Sequence, residues 1–187
     1  MSEAAKKRAA YEDLYGLPEN VVGEIIDGEL VTAPRPSRAH AVAASRMGYE
    51  IGPRYDFGRG GGPGGWVILV EPEIALGENI VVPDLAGWKK ERFPLQEPHN
   101  WISVVPDWVC EVLSPATAVR DRAVKMPLYG RYGVEHLWLL DPDLHTLEVF
   151  VLENGRWVLV GVFAQSAKVR AEPFMELELD LSALWLV

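Results

Sequence analysis

WVCEVLS, Trp108 to Ser114, is apolar at almost every position but Glu111. A short run of this kind reads as a strand buried on both faces. An ionised carboxylate inside it is costly unless something compensates the charge. A metal ion would do so, and so would a salt bridge to a nearby arginine; Glu111 taken alone fits either. Downstream, residues from about Ala118 to Tyr132 read as a helix closed by Gly133. Pro127 is expected to kink or restart it. HLWLLDP, His136 to Pro142, is a second buried strand. Strand, helix and strand together predict a parallel crossover unit.

Working outward, residues 6 to 15 read as a short amphipathic helix ending at Gly16 and Pro18. VVGEIIDGELVTAP is a hairpin turning on Asp27-Gly28. Ser37 can cap a helix from roughly Ala39 to Ile51. GRGGGPGG, Gly58 to Gly65, is a loop, without the following Lys-Ser/Thr of a phosphate-cradling turn. WVILVEPEIAL and NIVVPDLAGW read as two strands around Gly77-Glu78, and TLEVFVLENGRWVLVGVF as a hairpin on Asn154-Gly155. The tail MELELDLSALW alternates and then ends in a helical turn. The expectation is an α/β fold: a central mixed β-sheet flanked by helices, with N-terminal and C-terminal hairpins, as one domain over residues 1–187.

With 187 residues, 49% hydrophobic and 24% charged, the chain suits one domain with a substantial core. No apolar run reaches the ~20 residues that span a bilayer, and no apolar segment follows the first positive charges as in a signal peptide. No membrane association is expected. The lone Cys110 rules out an intrachain disulfide, and a cytoplasmic location is the default. A net charge of -9 argues against a protein that coats nucleic acid, but not against an acidic, cation-holding site that acts on it. The basic residues cluster: Arg35, Arg38, Arg46, Arg54 and Arg59 in one third, and Arg120, Arg122, Lys125 and Arg131 in another. Scattered solvated charge reads the same way. His136 and His145 lack cysteine partners at zinc spacing, and no nucleophile-elbow motif accompanies Cys110.

Asp84, in VVPDLAGW, is a second acid in an apolar setting, although Pro-Asp alone is usually a turn or strand entry. Adjacent strands lie ~4.8 Å apart, so two carboxylates on the same side can share one divalent ion. Hard oxygen ligands favour Mg²⁺ or Mn²⁺, with water and a phosphate oxygen completing the shell. Lys125, on the helix after the Glu111 strand, could orient or deprotonate an attacking water or offset transition-state charge. It also stands four residues after Asp121, the spacing of an ordinary helix ion pair.

VVPDLAGW, WVCEVLSP, the Lys125–Tyr129–Gly133-Val134 pattern and HLWLLDP, with GEIIDGELV and SRAH upstream, resemble the Uma family of restriction-endonuclease-like proteins. That family lies in the PD-(D/E)XK nuclease superfamily. The resemblance covers roughly residues 10 to 180. It implies a restriction-endonuclease-like fold and a site with Asp84 and Glu111 as metal ligands and Lys125 as the catalytic lysine. Glu24 would be an additional N-terminal acid, with His40 beside it. The superfamily's simplest pattern puts lysine two residues after the strand acid; here that position is Leu113, so the lysine has moved to the helix.

Several of these residues have ordinary readings too. Glu24 fits an exposed position on an alternating strand. His40 fits a first-turn helix residue bonded to backbone. Tyr129 and Tyr132 fit packing against the sheet, Asp141 fits a turn, and Glu71 and Glu73 fit groups supporting Asp84. The resemblance implies Mg²⁺- or Mn²⁺-dependent endonuclease action on DNA phosphodiesters; a homodimer is a separate expectation, since cutting two strands of a duplex commonly needs two sites, and no residue specifies it. The alternative is an inactive nuclease-like fold serving binding or assembly, its acids kept as structural ion pairs. The Gly58–Gly65 and Glu91–His99 loops are candidate substrate contacts.

Overall fold

A computed structural model describes residues 8–96 and 98–186. The chain opens with a 3-10 helix at Tyr11–Gly16, shorter and tighter than the predicted amphipathic helix, whose residues 6 and 7 lie outside the described range. Then follow β1 (Val21–Ile26), β2 (Glu29–Pro34), α1 (Arg38–Tyr55), β3 (Trp66–Val70), β4 (Ile74–Leu76), β5 (Asn79–Val81), β6 (Leu85–Lys89) and β7 (Trp108–Val112). A helical run Ala118–Tyr132 comes next, then β8 (His136–Asp141), β9 (Thr146–Glu153), β10 (Arg156–Ala164), β11 (Lys168–Val169) and β12 (Leu179–Asp180).

The central sheet has six strands in the order β10-β9-β8-β7-β6-β3. β7 and β8 pair in parallel and the other neighbours are antiparallel, which makes the sheet mixed. Every residue of β7 is buried, as its apolar run requires. A second sheet, β2-β1-β5-β4, packs near one face, and β11 and β12 form a short ribbon.

Two core clusters lie on opposite faces of the central sheet. On one, Met47, Ile51 and Tyr55 of α1 join Leu85, Cys110, Trp138 and the C-terminal Phe174 and Leu184. On the other, Leu128 and Tyr129 of the later helix join Ala86, Val109, Leu139, Ile26 and Leu76. Alternation along β6 and β7 sends successive side chains to these two faces.

Both two-residue turns form as expected. Asp27 (φ 52°) and Gly28 (φ 82°) join β1 to β2, and Asn154 (φ 50°) and Gly155 (φ 75°) join β9 to β10. Positive φ at both central residues matches the right-handed twist of the flanking strands. Ser37 caps α1 by accepting from the His40 backbone N–H, but α1 continues past Ile51 to Tyr55 and carries Pro53 within it.

Two expectations need correction. The two long strands around Gly77-Glu78 are four short ones: the chain leaves the central sheet after β3, makes the β4–β5 hairpin in the second sheet, and returns as β6. The departures fall at Glu71-Pro72 and Pro83, where proline cannot donate to a ladder. The later helix does restart beside Pro127, but the break itself lies just before it, over Asp121–Lys125. α2 (Ala118–Arg120) passes into a π-turn over Asp121–Lys125 and then into α3 (Met126–Tyr132), with the Met126 N–H donating to the Asp121 carbonyl. Pro127 then sits in the first turn of α3, where its missing N–H is tolerated.

Candidate active site

The β6–β7 register pairs Leu85 with Cys110. One residue earlier on the first strand and one later on the second stand Asp84 and Glu111, facing the side away from the α1 core. Asp84 lies just before β6 rather than within a strand. Its Oδ2 accepts from the Val112 backbone N–H at 2.7 Å, which ties it across to β7. Its Oδ1 lies 3.2 Å from Nε2 of His40, in the first turn of α1.

Lys125 comes from the opposite side, on the π-turn. Its Nζ is 2.7 Å from Glu111 Oε1 and 2.9 Å from Glu24 Oε1, and donates to the Val82 carbonyl at 3.3 Å. Among the described contacts Asp121 makes no ion pair with Lys125, although both line the same cavity. The Tyr129 hydroxyl donates to the same Glu111 Oε1 at 2.5 Å. Glu24, on β1, also accepts from the Val82 N–H at 2.9 Å.

Glu24, Glu111 and Lys125 are only 2–3% exposed. The alternating-strand reading of Glu24 as solvent-facing therefore fails: its carboxylate is enclosed against Lys125 and the Val82 N–H. His40 does more than bond to the backbone, since its ring reaches Asp84. Asp84, Glu111, Lys125, Glu24 and His40 all line one cavity of about 320 Å³, together with Glu71, Asp121 and Arg120. Glu73 instead accepts from the Tyr11 hydroxyl, and Asp141 caps its own turn by accepting from the Asp143 and Leu144 N–H groups. The Gly58–Gly65 loop does not line the cavity, and neither do the described residues of the Glu91–His99 loop; Glu97 within the latter lies outside the described range.

The electrostatics follow from burial among many acids. Burial pushes Glu111 up to about 8; Lys125 opposes the shift, and Asp121, Asp84 and Glu24 add to it. Burial works against the Lys125 ammonium, but Glu111, Glu24 and Asp121 outweigh it and hold its pKa above the ordinary lysine value. Burial also works against the His40 imidazolium, yet Asp84 and the Val112 carbonyl raise its pKa. Asp121 is raised chiefly by burial. On the opposite face, burial pushes the Cys110 thiol well up, in keeping with an inert side chain.

The cavity thus sets the acids Glu24, Glu71, Asp84, Glu111 and Asp121 against the cations Arg35, Arg120 and Lys125. This excess of hard oxygen charge suits a divalent cation. Among the described residues no three His, Cys, Asp or Glu side chains form a ready-made cation cage. Mg²⁺ needs none, since it commonly takes one or two carboxylates and fills its octahedron with water and phosphate.

Sequence reasoning underrated Tyr129 and Arg120. A lysine and a tyrosine four apart on the helix after a Glu-bearing strand was the signal for the first. Arg120 had none beyond its place in a basic cluster.

A mixed sheet with a parallel crossover, and with half-buried Asp84 and buried Glu111 brought together where β6 meets β7, defines a restriction-endonuclease-like fold. The chain belongs to the Uma2 family, described as "Putative restriction endonuclease", which it matches over residues 8–183. Among solved structures it is similar to a crystal structure described as a putative nuclease belonging to DUF820, from Anabaena variabilis ATCC 29413. The two are 26% identical with a TM-score of 0.73, covering 92% of this chain and 95% of that one. No curated protein matches.

Proposed function

We propose that the protein is a metal-dependent endonuclease that hydrolyses DNA phosphodiesters at the Asp84–Glu111 cavity. The carrying observation is that Asp84 and Glu111, brought side by side by the β6–β7 register, share one cavity with a buried lysine. Family membership and the nuclease-like relative support the same class.

In this reading Asp84 and Glu111 hold Mg²⁺ or Mn²⁺. When bound, the ion lowers the pKa of a water and offsets charge on the scissile phosphate. Lys125, kept protonated by its acidic neighbours, serves as a fixed positive charge rather than as a base. Glu24, 2.9 Å from Lys125 Nζ, would keep the ammonium in place with Glu111 among the residues holding the ion. His40 orients Asp84 through Oδ1 while the Val112 N–H fixes Oδ2.

A second reading has its own observation. Lys125 already pairs with both Glu111 and Glu24 in a buried triad, as a structural ion network would. That reading makes the protein a nuclease-like binding or assembly module.

The test is cleavage of plasmid and single-stranded DNA with Mg²⁺ or Mn²⁺ by wild type, Glu111→Gln and Lys125→Ala, with folding checked by melting. Metal-dependent cleavage by wild type, lost in both variants, is expected. Equal activity in all three would remove the assigned residues, and no cleavage by wild type would favour the binding module.

A further inference from the structure

Resting on the nuclease reading, we infer that this site accepts a single, unpaired DNA strand rather than the face of an intact duplex. The reacting side chains are not on a surface. Glu111 and Lys125 are 2–3% exposed, at the floor of a cavity of about 320 Å³. That volume is near the lower end of small-molecule pockets, ~300–1,000 Å³. It holds one phosphodiester with an adjoining sugar or base. A phosphate in a duplex is fixed to a stacked, paired rod and reaches such a floor only if its strand leaves the stack.

The walls fit an extended strand. Pro34 and Pro36, from the β2–α1 connection, and Pro115 and Ala116, from the β7–α2 connection, line the cavity. They offer apolar faces to a sugar or base, and Ser37, Ser114 and Thr117 of the same connections add hydroxyls at the wall, the last two of which already bond each other.

The cationic footprint is equally small. Arg35 and Arg120 are the arginines that line the cavity. Arg120 is under-used within the fold. Its Nε is buried without a hydrogen-bond partner, 3.8 Å from Glu24 Oε2, and its Nη1 reaches the Thr32 carbonyl at 3.4 Å. A guanidinium with unspent donors beside the acids suits a phosphate oxygen. Duplex-tracking proteins neutralise about 6–10 phosphates, whereas a net charge of -9 and two cavity arginines suit a short contact.

The test compares one sequence as a single strand, as a blunt duplex and as a duplex with a single-stranded overhang, each with Mn²⁺ and the wild-type protein. The single strand and the overhang are expected to be cut at least about a hundredfold faster than the blunt duplex, because pairing must be broken first. A blunt duplex cut as fast as the single strand would overturn the inference and leave the nuclease reading standing. Cleavage of none of the three would overturn both. Arg120→Gln is expected to raise KM for the single strand more than it lowers kcat. It should also reduce the salt slope of 1/KM by about 0.7, the loss of one single-strand phosphate contact. An unchanged KM and slope would remove Arg120 from substrate binding.

Discussion

Glu111 is held by an amine and a phenol at the same oxygen, and this arrangement makes it testable. Tyr129→Phe removes the phenol's hydrogen bond and leaves the ring. It is expected to cost about 1–3 kcal/mol in denaturant unfolding and to lower metal-dependent cleavage. Unaltered cleavage would make Tyr129 a packing residue only. Titration gives a second test. Glu111 sits at about 8 in the folded protein against an ordinary 4.5, so between these values the folded state binds more protons than the unfolded one. Its contribution to metal-free stability is therefore complete below 4.5 and lost as pH rises through about 8. The stability difference between wild type and Glu111→Gln, followed by denaturant midpoint from pH 5 to pH 9, is expected to shift against wild type as pH rises. A difference independent of pH would contradict the burial assigned to Glu111. Apolar neighbours in sequence made Glu111 legible. Glu24 was not, because a period of two identifies opposite faces but not which one a second sheet will cover. From sequence Tyr129 reads as packing, because its hydroxyl's partner lies on another element, 18 residues away.

Between strand and helix, local chemistry was legible and long-range pairing was not. The Asp27-Gly28 and Asn154-Gly155 turns depend on positive φ at adjacent residues, which their own sequence supplies. The division of residues 66–89 between two sheets depends on which strands they meet, and β5 meets β1, more than fifty residues earlier. The helix after β7 was legible in extent but not in winding. Its π-turn brings Lys125 beneath the sheet acids and is the sort of irregularity that functional sites retain. Gly133 ends this segment at φ 84°, and its N–H returns to the Gly130 and Tyr129 carbonyls. Gly133→Ala forces a side chain into left-handed backbone and is expected to cost about 1 kcal/mol, read as a lower melting temperature with metal response retained. A variant as stable as wild type would mean that this helix end relaxes freely.

Across the whole molecule, charge and edges decide how the protein meets others. No described helix is long and apolar enough to cross a membrane. The central sheet ends at β10, a nine-residue edge strand on which Leu159, Val160 and Val162 are at least half exposed. The register shift between Leu159 and Gly161 bends this edge, which limits open pairing with other chains. Val162→Lys is expected to raise the concentration at which the protein aggregates, followed by light scattering, while changing stability by no more than about 0.5 kcal/mol. Unchanged aggregation would show that β10 is already protected. The fold itself was legible at this scale, because a buried strand, a helix and a second buried strand impose a crossover whatever the remaining elements do. The most direct test of the shared-cation site is anomalous scattering from crystals of the protein grown with Mn²⁺. The structure predicts one peak coordinated by both the Asp84 and Glu111 carboxylates, with Lys125 still paired to Glu24. A peak held elsewhere, or by only one of the two acids while Lys125 keeps Glu111, would contradict it.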